Sequence, residues 1–188
     1  MATESDTLLE IMKIMPPPEK PIIMSNESWV SFEKTTSLIF PQEFKDFISK
    51  YGCGSINRIV FIYSPYCVVG NKETQHESNL EQWKLDMELR KDNIESFGHD
   101  DRETPLLYPE PTGVYVWGGD GENNSYGWFT ETNDGKLAII PDKIAIFDTW
   151  ETKPSAGKFY DFILKILRER FSPGSPLGQP EYIPFKIN

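Results

Sequence analysis

An α+β fold, a single domain in which helices pack a central and largely antiparallel β-sheet, is the class that this 188-residue sequence predicts. Three observations predict it. Residues 41 to 51 form an amphipathic helical pattern between Pro41 and Gly52, residues 113 to 149 read as a run of short strands, and Phe159 to Leu167 present one almost wholly apolar helical side. Helices and strands that are segregated along a chain rather than alternating belong to this class.

The first element is a short helix capped by Asp6 and Thr7, carrying Leu8, Ile11, Met12 and Met15, which Pro16 to Pro18 stop. It is read as a loosely attached arm, residues 1–25. Ser25-Asn26 then starts a helix with Trp29 and Phe32 on one face. The next helix has Phe44, Phe47, Ile48 and Tyr51 at i, i+3, i+4 and i+7, and should pack beside it. Pro41 suits the first helical position and Gly52 the one after the last turn, while Gly54 permits another tight conformation before Ile56. Because these glycines follow a helix C-terminus, they read as caps and not as a phosphate loop, which would open a helix.

Arg58 to Tyr63 is a β-branched and aromatic run that reads as a buried strand. From Lys72 to Glu103 ten acidic residues face five basic ones, a net charge of −5, and Leu80, Trp83, Met87 and Ile94 keep helical spacing, so residues 72–103 read as an amphipathic helical segment with a charged outer face. After a proline-rich loop come strands at Gly113–Trp117, Tyr126–Thr130, Leu137–Ile140 and Ile144–Thr149, the middle pair joined by Asn133-Asp134-Gly135. A last helix starting near Ser155 should cover this meander. The tail 171–188, with Pro173, Pro176, Pro180 and Pro184, is expected to lie extended over the surface.

Twelve Phe, eight Tyr and five Trp supply an aromatic core for one domain, residues 26–170. The net charge of −10 disfavours nucleic acid or an anionic membrane as a partner and favours a basic protein. Two cysteines without metal-ligand spacing fit a reducing cytoplasm, and no apolar run reaches the roughly 18 residues of a bilayer span. The expectation is a soluble, unexported, cytoplasmic protein.

Candidate chemistry is sparse. Asp120, Glu122, Asn124 and Glu131 fall at positions 1, 3, 5 and 12 of a calcium loop, but position 6 is Ser125 where that loop requires glycine, and strands flank it. His76 and His99 lack partners at ligand spacing, and nothing local supports a nucleophilic Cys53 or Cys67. Asp100, Asp101 and Glu103 form a charged loop better suited to solvent than to acid–base work. Trp117, Tyr126, Trp128 and Trp150 offer either a stacking platform for sugars or a core; with no basic residue between Gly113 and Asn133, nucleic-acid stacking lacks its electrostatic half. No catalytic, cofactor or metal constellation is expected.

The order of signals resembles the SUKH superfamily, which groups Syd, viral US-type and yeast cell-wall regulator homologues with bacterial toxin immunity proteins. The Trp29-to-Glu33 helix, F-P-Q-E-F-K-D-F-I-S-K-Y-G-C-G-S-I, V-Y-V-W-G-G-D-G, Y-G-W-F-T, L-A-I-I-P and the helix Lys158 to Leu167 carry the resemblance over residues 26 to 170. It implies an α+β domain without catalysis. Bacterial members bind and block a cognate toxin domain, often a nuclease with a basic groove, and an acidic surface suits that target. The yeast-type alternative is a non-catalytic regulatory scaffold. From charge and exposure, the expected interface is Asp100, Asp101 and Glu103, with Asp120, Glu122, Asn123 and Asn124 at a hairpin rim.

Overall fold

The computed structural model describes residues 4–21, 23–69, 72–75, 106–122, 124–147, 152–172 and 174–185. Its described residues form one α+β domain: four helices and a seven-stranded antiparallel sheet, with a separate two-stranded hairpin. The helices are α1 (Glu4–Ile14), α2 (Asn26–Thr36), α3 (Gln42–Tyr51) and α4 (Phe159–Arg170). The strands are β1 (Gly54–Ile56), β2 (Val60–Ile62), β3 (Tyr66–Val69), β4 (Lys72–Gln75), β5 (Val114–Asp120), β6 (Ser125–Asn133), β7 (Lys136–Phe147), β8 (Thr152–Ala156) and β9 (Tyr182–Pro184). The order in the sheet is β8-β7-β6-β5-β2-β1-β9, and β3 pairs with β4.

Local chemistry explains the helix boundaries. Ser25 caps α2 by accepting the Ser28 N–H, as the sequence predicts. Pro41 sits at the N-cap of α3, one residue before its expected place, and its carbonyl accepts the N–H groups of Phe44 and Lys45. Gly52 takes φ 68° after α3 and donates to the Ile48 carbonyl. Gly54 has a different role from the one expected. It lies within β1, where an added Cβ would stand 2.5 Å from the Ile183 carbonyl oxygen and 2.7 Å from the Tyr182 ring, so absence of bulk is what the position requires.

Four expectations are corrected. Asn57 and Arg58 turn at φ 50° and 60°, so the strand expected from Arg58 begins at Val60. Lys72 to Gln75 is a strand and not helix; residues 76–105 lie outside the described residues. The third and fourth meander strands are one, β7, because three extra residues of β7 are absorbed between the pairs Thr130–Ile139 and Trp128–Ile144. Pro141 lies inside that bulge, where its missing N–H leaves no gap in the ladder. Finally, Ser155 belongs to β8, and α4 starts only at Phe159.

The start of α4 is capped by two acids, one local to it and one that no local pattern announces. Glu43 of α3, itself buried, accepts the Tyr160 N–H at 3.1 Å, and Asp161 reaches back to the Lys158 N–H. α3 and α4 pack one sheet face, where Phe44 and Phe159 meet Trp117 and Trp128, Phe162 meets Tyr126, and Phe47 packs against Phe159 between the two helices. On the opposite face Leu107, Val114, Ala145 and Phe147 form a smaller cluster. α1 is not loose: Ile11 and Met15 are fully buried, and the Met15 carbonyl accepts the Tyr51 hydroxyl at 2.5 Å. Nor is the tail merely superficial. β9 forms a sheet edge against β1 and buries Tyr182, whose hydroxyl donates to the Gly52 carbonyl.

Candidate functional site

Asp120 ends β5 and Ser125 opens β6, so the residues between them form the tip of a hairpin. The Asp120 carboxylate organises that tip. Its Oδ1 accepts the backbone N–H groups of Glu122 at 2.9 Å and Asn124 at 3.1 Å, and the Asn124 amide donates to both oxygens. Its Oδ2 accepts the Tyr126 hydroxyl at 2.6 Å and the Arg170 guanidinium at 3.0 Å. Arg170, in the last turn of α4, also reaches Glu122 at 3.3 Å.

Burial and hydrogen bonding oppose each other at this carboxylate. Burial pushes the Asp120 carboxyl up, but hydrogen bonds from Tyr126, Asn124 and the backbone of Glu122 and Asn124 outweigh it and hold the group below its ordinary value. The Tyr126 hydroxyl is raised by burial and by its bond to Asp120. The anion is thus a fixed part of the fold. Its side chain is 0% exposed, whereas that of Glu122 is 68% exposed.

Asp120 is therefore corrected from rim anchor to internal brace: its lone pairs are engaged and no partner reaches it. Glu122 projects into solvent beside Asn124, which is half-buried. Asn123, Asp100, Asp101 and Glu103 lie outside the described residues, as do His76, His99 and Trp150. The calcium-like spacing dissolves, because Glu131 lies further along β6 and accepts from Asn133. Among the described residues no group of three His, Cys, Asp or Glu side chains is placed to hold a metal ion. The Cys53 side chain is buried.

Trp117, Tyr126 and Trp128 are no stacking platform, since α3 and α4 cover them and all three are buried. Neither the Trp117 nor the Trp128 indole N–H has a hydrogen-bond partner among the described residues. Their rings meet neighbours at steep angles, 83° for Phe44–Trp128 and 87° for Trp117–Phe162, the geometry that sets a ring's positive edge against a negative face.

Arg170 and Tyr126 complete the hairpin site, and the sequence alone did not single out their roles. Arg170 is 50 positions from Asp120 and is brought to it only by the packing of α4 on the sheet. A second surface lies at the other end of β6, roughly 26 Å away for a nine-residue strand. There a groove of about 430 Å³ runs between the α2–α3 connection and β7, with Ile39, Phe40, Pro41, Leu137 and Ile139 among its lining residues and Lys136 its one charged member. No described helix is long and apolar enough to cross a membrane. No family model, curated protein or solved structure matches the chain.

Proposed function

We propose that this chain is an immunity protein of the SUKH type, which neutralises a cognate toxin domain by stoichiometric binding of an acidic surface to a basic groove. The observation that carries this reading is the acidic balance of −10, half of it concentrated in residues 72 to 103. A braced hairpin that holds Glu122 outward supports it, because a contact held in place before binding loses little entropy on binding. Arg170 offsets part of the local charge. The hairpin is accordingly one proposed contact, and Asp100, Asp101 and Glu103, which lie outside the described residues, are proposed as further contacts from their charge alone.

The test is a titration of the product of the gene immediately upstream, taken as the candidate toxin, against the purified protein. Inhibition should be complete at one equivalent. Glu122→Lys should slow association about 3- to 10-fold at low ionic strength and much less at 0.5 M salt. Failure of the upstream protein to be inhibited or bound would sink the immunity reading. The alternative, a non-catalytic regulatory scaffold of the yeast cell-wall regulator type, is favoured by the groove beside Ile39, where contact would be apolar and insensitive to salt.

A further inference from the structure

The pairing of β6 with β7 settles which backbone groups of β7 face outward. The Thr130 N–H donates to the Gly113 carbonyl, so the Thr130 backbone faces β5, and its opposite number Ile139 must direct its own N–H and carbonyl away from β6. Ala138, opposite Glu131, points inward, and Leu137 points outward again. β8 joins that side of β7 only from Lys143 onward. The outward groups of Leu137 and Ile139 consequently have no hydrogen-bond partner among the described residues.

Elsewhere the sheet guards its edges. The outermost strands β8 and β9 contain Pro154 and Pro184, which withhold N–H groups from any added strand. Leu137 to Ile140 contains no such guard. The groove borders this same stretch, with Ile39 exposed to 77% on its far wall. At the hairpin end of the groove stands Lys136, exposed and in no ion pair among the described residues.

We propose that Leu137 to Ile139 is a docking edge for an extended segment of a partner protein, which adds a strand to β7, places apolar side chains at alternate positions in the groove and sets a carboxylate against Lys136. The unpaired backbone specifies an extended occupant, the groove its apolar side chains, and Lys136 its charge. This surface is separate from the acidic hairpin and does not depend on the immunity reading.

The experiment titrates full-length protein with end-capped hexapeptides of alternating Val and Thr that carry Asp at either the first or the last position, with Lys counterparts as controls. One Asp peptide should bind at least tenfold tighter than its Lys counterpart, and should slow amide exchange at Leu137 and Ile139 but not at Ala138, which β6 already protects. Lys136→Glu should invert the charge preference. Ile39→Asp, at an exposed position that leaves folding intact, should weaken binding at least tenfold. Absence of binding, binding that leaves those two amides unprotected, or a preference unchanged by Lys136→Glu would overturn the proposal. So would slow exchange of both amides in the peptide-free monomer, which would assign the edge to the chain's own residues, or concentration-dependent dimerisation that protects them, which would assign it to a second copy.

Discussion

Asp120 shows how a buried anion can be held without being a site. Its folded pKa is lowered, so its contribution is fully present above the unfolded aspartate value and is lost as pH falls through the folded one. Asp120→Asn keeps the shape but turns an amide N–H toward donors that need an acceptor. It should lower stability at pH 7 by about 2–4 kcal/mol and flatten the acid limb of the stability curve, below the ordinary aspartate value. Urea denaturation at a series of pH values measures both effects, and an unchanged acid limb would assign acid sensitivity to other carboxylates. Tyr126→Phe removes one donor, so the Asp120 pKa should move up toward its ordinary value and about 1–2 kcal/mol should be lost at neutral pH. At Gly54 the constraint is spatial. Gly54→Ala forces β9 from β1 and should cost about 1–3 kcal/mol, measured by thermal or urea denaturation.

Among the elements, the terminal ones change character most between sequence and structure. The prolines of the tail rightly argue against an interior strand, yet Tyr182 lets three residues serve as an edge strand by packing against Phe47 and Tyr51. Asn57 holds the approach to that strand, donating to the carbonyls of Leu177 and Gln179 and accepting the Glu181 N–H. Tyr182→Ala should therefore cost about 3–5 kcal/mol, as loss of a large core side chain does. A surface tail would lose almost nothing, and denaturant unfolding separates the two outcomes. α1 makes a similar case, since Leu8, Ile11, Met12 and Met15 mark an apolar face whose spacing cannot say whether it finds a partner. Its docking through Ile11 and Met15 supplies that answer. β7 departs from the meander pattern at Pro141, which interrupts the alternation without interrupting the strand.

At the scale of the whole molecule, the charge distribution carries the functional proposal. Replacing Asp100, Asp101 and Glu103 together by Ala should slow association with a basic partner about 3- to 10-fold at low salt, an effect that high salt should abolish; stopped-flow rates at two ionic strengths test it. The sequence by itself determined the α+β class, the positions of α2, α3 and most meander strands, and the aromatic face that joins them. Those are local matters of period, cap and turn, written in residues a few positions apart, as in Phe44, Phe47, Ile48 and Tyr51 or in the Asp134-Gly135 turn. Only the tertiary structure decided that Glu43 caps α4, that Arg170 meets Asp120, that Tyr182 completes the core, and that Leu137 and Ile139 face outward from the sheet. Each of these joins groups distant in the chain, and their meeting depends on the register and packing of whole elements rather than on any spacing within one.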